Sequence, residues 1–268
     1  MDDIDFDELV MALKNIVCVY EEEIAPFAVG LCSKLSDAFV KLVNSNGTGE
    51  NEDQETSLTC DGLMQAIKRV LNSISGKYKE LYPQLEEILE QSLYLCLSGK
   101  QQANTTTEDG ITCISELLFN QDHVSPRMWN FFQLIIDLII NDKGILEEFL
   151  SQVSVPLSNY VVKTADHFAT LSLNGQQTCL DMMLFLIQKI IKDAKEKEDE
   201  FDAIIGVTLM FALLENLKGL EPVMEGILNL FLQELQTAKS SDYKNILWQG
   251  ISLCLWQSTS FTLGKLEQ

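Results

Sequence analysis

The sequence has few of the residues that catalysis and metal binding require. Only 2 of its 268 residues are histidines, His123 and His167, and neither belongs to an HExxH or Cys–His pattern. No GxxxxGK[S/T], GxGxxG or GxSxG segment occurs, which argues against a phosphate-binding loop or a nucleophile elbow. Both histidines are interpreted as solvated or locally hydrogen-bonded. The sequence therefore predicts no enzyme, no metal site and no cofactor.

Proline and glycine are also scarce, at 5 and 14 residues, and this scarcity favours helix over sheet. The 7 cysteines form no CxxC pair, so they are interpreted as reduced core residues rather than disulfide partners. They are Cys18, Cys32, Cys60, Cys96, Cys113, Cys179 and Cys254. The longest uncharged apolar run, about 206–214, is far shorter than the ~20 residues of a membrane span. The acidic opening MDDIDFDEL does not resemble a signal peptide. We expect a soluble intracellular protein.

Basic residues are also few compared with acidic ones. The chain has 19 basic and 40 acidic residues, a net charge of −21, which argues against nucleic acid and anionic membranes as partners. It permits basic proteins, although many proteins are acidic for solubility alone. Residues 1–134 hold 22 acids and 9 bases, and residues 135–268 hold 18 and 10. The first half is therefore the better candidate for binding a basic partner.

Hydrophobic residues, 46% of the chain, recur with the 3.6-residue period of amphipathic helices. The pattern predicts helices near 4–19, 23–44, 57–75, 80–98, 107–120, 126–141, 143–152, 155–171, 175–195, 199–217, 220–238 and 242–258. Gly76 and Gly219 are typical helix stops, and Ser125-Pro126 is a typical helix start. At about 40–47 residues per helical hairpin, the chain accommodates about six. The sequence predicts an all-α, right-handed superhelical solenoid of HEAT-type hairpins, forming a single domain over 1–268.

Three polar segments interrupt this pattern. Residues 44–56, NSNGTGENEDQET, contain four acids and no apolar side chain, so we expect an exposed, poorly ordered loop that is dispensable for folding. Residues 100–107 are interpreted as a polar linker, and residues 192–202 as a charged junction between two helices.

Several residues admit both a chemical and a structural interpretation. Glu86 and Glu90 lie one helical turn apart, and we expect a solvated face rather than an acid–base pair. The acids of the 44–56 loop lack the DxDxDG pattern of a calcium site. For Trp129, Trp248 and Trp256, helical spacing within apolar runs favours core packing over exposed anchoring.

Two acidic clusters remain as candidate contacts for a basic partner. They are Asp2, Asp3, Asp5, Asp7 and Glu8 at the chain start, and Glu50, Glu52, Asp53 and Glu55 in the loop. Glu21, Glu22 and Glu23 have an adequate structural explanation, because acids at a helix N-terminus offset its macrodipole.

Two stretches resemble a known family. Residues 9–39, LVMALKNIVCVYEEEIAPFAVGLCSKLSDAF, are similar to a repeat of the importin-beta (karyopherin-beta) superfamily, in the branch containing importin seven and importin eight. Residues 124–138, VSPRMWNFFQLIIDL, and then PLSNYV at 156–161, resemble a second segment. The likeness covers most of residues 7–170 and fades beyond them. It indicates the C-terminal HEAT repeats of a longer chain.

The resemblance implies a nuclear transport receptor that shuttles between cytoplasm and nucleus. Such receptors bind cargo on a concave face, contact Phe-Gly nucleoporins and release cargo to Ran-GTP. In this branch the cargo includes ribosomal proteins and histones. Because Ran docks mainly on N-terminal repeats, this segment need not bind it. A HEAT scaffold of a non-transport complex and an export receptor remain alternatives.

Overall fold

The computed structural model describes residues 12, 15, 16, 19–45, 50–98, 105–141, 147–173 and 175–257. This part of the chain forms no β-strand, and its one extended pairing is an isolated antiparallel bridge between Ser172 and Thr178. The all-α prediction is confirmed. None of its helices is long and apolar enough to cross a membrane.

A helical turn at Glu21–Ile24 and a 3-10 turn at Ala25–Phe27 precede the first long helix. The long helices of the described ranges are α1 (Ala28–Asn44), α2 (Glu50–Ile74), α3 (Tyr82–Cys96), α4 (Thr107–Asn120), α5 (Pro126–Asn141), α6 (Leu150–Lys163), α7 (Cys179–Lys197), α8 (Glu200–Asn216), α9 (Glu221–Thr237) and α10 (Ser241–Gln257). The chain folds as two compact units, 1–131 and 132–268, which divide within α5.

The first unit is built from two helical hairpins. Helix α1 packs against α2, and α3 packs against α4. The hairpins stack with first helix on first helix and second on second, because α1 also contacts α3 and α2 also contacts α4. This is the HEAT-like stacking that the sequence predicts. Ser36 of α1 forms a buried hydrogen bond, 2.7 Å between hydroxyl oxygens, with Ser92 of α3.

The second unit is also built from helical hairpins whose second helices stack on one another. Helix α7 packs against α8, and α9 packs against α10. In α5 and α6, Phe132 meets Tyr160 edge-on with ring centroids 5.0 Å apart. Helix α8 contacts α6 on one side and α10 on the other. The second helices of three successive hairpins therefore form one layer.

Helix α8 shows why an apolar run can lie inside a helical stack. Its buried residues spread around most of its circumference and include Ile205, Val207, Leu209, Met210 and Leu213. Contacts with α6, α7 and α10 cover these sides. Fully burying one such side chain contributes about 1.5–3 kcal/mol. Only a narrow stripe of α8 remains accessible to solvent.

Local sequence signals fix several helix ends. The Ser125 hydroxyl accepts a hydrogen bond from the Met128 N–H at 3.1 Å, so the predicted start of α5 is confirmed. Helix α7 begins with a capping box between Thr178 and Asp181. Gly76 lies beyond α2 with φ of 72°, and its N–H donates to Asn120 Oδ1 at 2.7 Å. The predicted glycine stop at this position is confirmed.

The prediction of separate helices at 143–152 and 155–171 is wrong. A 3-10 turn at Glu147–Phe149 leads into α6, which continues to Lys163 with Pro156 in its interior. Proline removes one N–H from the helical ladder and disfavours a helix interior, so its position suggested a break. Burial of Pro156 together with Leu157 and Val153 favours continuation of the helix.

The polar segments are more structured than predicted. Helix α2 begins at Glu50, so the predicted loop over 44–56 is wrong from that residue onward; residues 46–49 lie outside the described ranges. Glutamate and glutamine favour helix, and acids suit its first turns. In the 100–107 linker, Thr106 and Thr107 are buried, and the Thr107 hydroxyl donates to the Cys96 carbonyl. Its residues 100–104 are outside the described ranges.

The six described cysteines are buried, as predicted, and form no disulfide with one another; Cys18 lies outside the described residues. Burial raises the pKa of the Cys32, Cys96, Cys179 and Cys254 thiols to about 12. These thiols are therefore protonated at neutral pH and function as small core side chains.

Close contact between α3 and α4 yields a stability prediction. A Cβ at Gly110 would lie 2.6 Å from Cys96 Cβ, whereas one at Gly226, on α9, would meet nothing within 4 Å. We expect Gly110→Ala to lower the free energy of unfolding by about 1–3 kcal/mol through overpacking. Gly226→Ala should raise it by about 0.5–1 kcal/mol, because alanine favours helix. Urea denaturation measures both, and equal effects would contradict the α3–α4 contact.

Candidate protein-binding surfaces

The predicted acidic contact residues are only partly placed by the structure. Asp2, Asp3, Asp5, Asp7 and Glu8 lie outside the described residues. Glu50, Glu52, Asp53 and Glu55 lie in the first turns of α2. Their role in binding a basic partner stays a prediction.

The two histidines are exposed and lie in turns. His123 belongs to the loop between α4 and α5. His167 follows the end of α6, although the helix predicted near 155–171 included it. Within the described ranges, no group of three or more His, Cys, Asp or Glu side chains is arranged to hold a metal ion.

Glu86 and Glu90 do not form a solvated pair, and this prediction is wrong for Glu86. Only 2% of Glu86 is exposed. Its carboxylate accepts hydrogen bonds from Gln121 Nε2 at 3.0 Å and from the Ser125 hydroxyl. Glu90 pairs instead with Arg127, 3.0 Å from its Nε. Glu86 therefore holds the N-cap of α5 against α3, which is a structural role.

Two other buried carboxylates also join neighbouring helices. Asp109 of α4 pairs with Lys68 of α2. Glu234 of α9 accepts from Lys195 of α7 at 3.0 Å and from the Tyr243 hydroxyl at 3.3 Å. Burial, and then the charge of Glu234, raise the pKa of Tyr243. Each carboxylate has partners that offset its desolvation, as buried charges require.

The predicted charged junction at 192–202 is short, because only Glu198 and Asp199 separate α7 from α8. Glu198 pairs with Lys239 at 2.6 Å. Hydrogen bonds from Ser240 and from the Lys239 backbone N–H lower the pKa of Glu200. These contacts line a cavity of about 210 Å³ bounded by residues of α7 to α10. Because both signs of charge are paired there, the cavity is best explained as part of the packing between hairpins.

Exposed aromatic side chains form a clearer candidate. Trp248 is 55% exposed and Trp256 is 70% exposed, so the prediction of core packing is wrong for both. They lie eight residues apart on α10, about 12 Å along one helix face. Phe201 of α8 is also exposed. Trp129 is half-buried.

A groove of about 460 Å³ lies between α8 and α10. Its lining residues are Phe211, Glu215, Trp248, Gln249, Ser252 and Leu253. Sequence reasoning missed it, because the apolar runs around Trp248 and Phe211 resemble core helices. The available signal was position on the helix, because Trp248 and Ser252 share a stripe of α10 that is distinct from the stripe of the buried Leu247, Ile251 and Cys254.

Sequence comparison places this chain beside a group of related proteins. It is 25% identical over 272 residues to an importin beta-like SAD2 homolog of Arabidopsis thaliana, a match covering 100% of the chain. It is 25% identical to a probable importin-7 homolog of Dictyostelium discoideum over 97% of the chain. It is 21% identical to human importin-8 over 98%. The chain resembles the importin-beta superfamily along its whole length.

These matches confirm the predicted resemblance and extend it. They continue past residue 170, where the likeness was expected to fade. The chain spans about a quarter of the length of these relatives, 24–25% in each case. No family model matches the chain, and no solved structure matches it.

The contacts of Glu86 yield a second stability prediction. Glu86→Ala removes the acceptor of the Ser125 hydroxyl and the Gln121 amide, so we expect the free energy of unfolding to fall by about 1–3 kcal/mol. The matched control is Glu87→Ala. The Glu87 carboxylate is mostly exposed and lies 3.9 Å from Arg127, so its loss should change the free energy by less than about 0.5 kcal/mol. Thermal melting of both variants is the measurement; similar losses would show that Glu86 has no special role.

Proposed function

We propose that this chain is a protein-binding segment of a nuclear transport receptor of the importin-beta type, and that it helps to hold basic cargo such as ribosomal proteins or histones. The observation that carries the proposal is the likeness to proteins named as importins over 97–100% of the chain. The proposed role is binding, with no reaction catalysed.

The fold and the charge support this role. Stacked helical hairpins present long surfaces on which each helix contributes one exposed stripe. A net charge of −21 attracts a basic partner and speeds its encounter. In the proposed setting, release by Ran-GTP, contact with Phe-Gly nucleoporins and shuttling between cytoplasm and nucleus belong to the longer receptor.

We expect a basic protein to bind weakly and with marked salt dependence. The assay is titration of linker histone against the chain at low and at physiological ionic strength, where the Debye length falls to about 8 Å. One variant replaces Asp2, Asp3, Asp5, Asp7 and Glu8 by Lys, and a second replaces Glu50, Glu52, Asp53 and Glu55 by Lys. Each reversal should lower the affinity, with the larger change at low salt.

Neither variant alters Glu21–Glu23, because changing these residues would also affect a helix start. An affinity that is unchanged by both reversals and by salt would show that the acidity serves solubility and that these clusters do not hold cargo. With the longer receptor, displacement of the histone by Ran-GTP but not by Ran-GDP would distinguish import from a non-transport scaffold.

A further inference from the structure

The groove between α8 and α10 has an unusual combination of side chains for this acidic protein. Its surface is formed largely by the apolar residues Phe211, Trp248 and Leu253. Glu215 is the one charged residue among its lining residues, and it is exposed. The groove therefore offers an aromatic face and a carboxylate to the same occupant.

That combination matches the side chain of arginine or lysine. A cation above an indole ring is attracted by the ring quadrupole, and arginine stacks on it most readily. A carboxylate beside the ring can accept hydrogen bonds from the guanidinium. Glu215 makes no ion pair with a described residue, although Lys218 follows it three positions later. Its carboxylate is thus available to a partner.

The ends of the two helices add to the negative potential. Gln257, the last residue of α10, donates to the Leu217 carbonyl beyond α8 at 3.0 Å, so the C-terminal ends of both helices lie side by side. Neither helix has a basic residue in its last turn. A helix C-terminus carries partial negative charge and favours a nearby cation.

We propose that the α8–α10 groove binds an extended protein segment in which an arginine, or less favourably a lysine, adjoins an apolar residue. The cation stacks on Trp248 and pairs with Glu215, and the apolar neighbour packs against Phe211 and Leu253. This inference rests on the proposed function and refines it, because it locates one contact for a basic partner in the second unit, whereas the acidic clusters belong to the first half of the sequence.

The test uses the full 268-residue chain with ¹⁵N-labelled tryptophan and the acetylated, amidated peptide Gly-Ser-Leu-Arg-Leu-Ser-Gly. The indole N–H signals are assigned with Trp→Phe variants and followed during titration. We expect the Trp248 signal to move and the Trp256 signal to stay. A peptide with citrulline in place of arginine keeps the shape but loses the charge, and it should bind about five- to tenfold more weakly.

Variants of the chain test each contact separately. Trp248→Ala should weaken binding about five- to tenfold, and Glu215→Gln about two- to fivefold, measured by anisotropy of a dye-labelled peptide. Trp256→Ala is the matched control, because Trp256 is also more than half exposed on the same helix but does not line the groove. It should leave the affinity unchanged. Glu215→Gln preserves shape, so its result stands even where Trp248→Ala perturbs folding.

Four outcomes would overturn the assignment. Equal binding of the arginine and citrulline peptides would show a purely apolar groove. Movement of Trp256 rather than Trp248 would place the site elsewhere. Self-association of the chain that Trp248→Ala abolishes, seen by sedimentation, would make a second copy the occupant. Linker histone binding that persists with Glu215→Gln but fails with the acidic-cluster reversals would reject this groove and leave the proposed function intact.

Discussion

The burial of α8 against α6, α7 and α10 is the constraint on which the second unit depends. A helix that is apolar around most of its surface is stable in water only when neighbours cover it on several sides. Stacked hairpins meet this requirement, because α8 packs against its own partner α7 and against the second helices α6 and α10 on either side. What remains uncovered is one stripe per helix, and α8 and α10 place theirs along a common groove.

Buried polar pairs add specificity to this apolar packing. Glu86, Asp109 and Glu234 each join one helix to another hairpin or to the start of the next one. Such pairs contribute little net stability, since desolvation offsets their attraction. Shifting one helix along its neighbour would leave a charge without its partner, which costs several kcal/mol. We therefore assign them the role of fixing the register between hairpins.

The sequence predicted the helices well where the hydrophobic period agreed with an N-cap residue or with a glycine just past the helix end. The start of α5 at Ser125-Pro126 and the stop at Gly76 are examples. Prediction failed where two preferences competed, as in α6, where burial prevailed over the break suggested by Pro156. It also failed for side-chain environment: the periodicity that marks Trp248 as part of an apolar helix does not reveal that its ring is exposed in a groove beside α8. Glu86 shows the opposite error. The sequence predicted a solvated carboxylate, but the fold buries it and brings Ser125 and Gln121 to it.

Exposure and charge together explain why binding surfaces are hard to identify from such a sequence. Acidic residues are distributed throughout the chain, so the charge of any one cluster is weak evidence for a site. A tryptophan left more than half exposed loses the apolar burial that a core position would give it. A carboxylate beside that ring would also repel further acids while attracting a cation. The α8–α10 groove combines both features, and its selectivity would come from chemistry rather than from net charge.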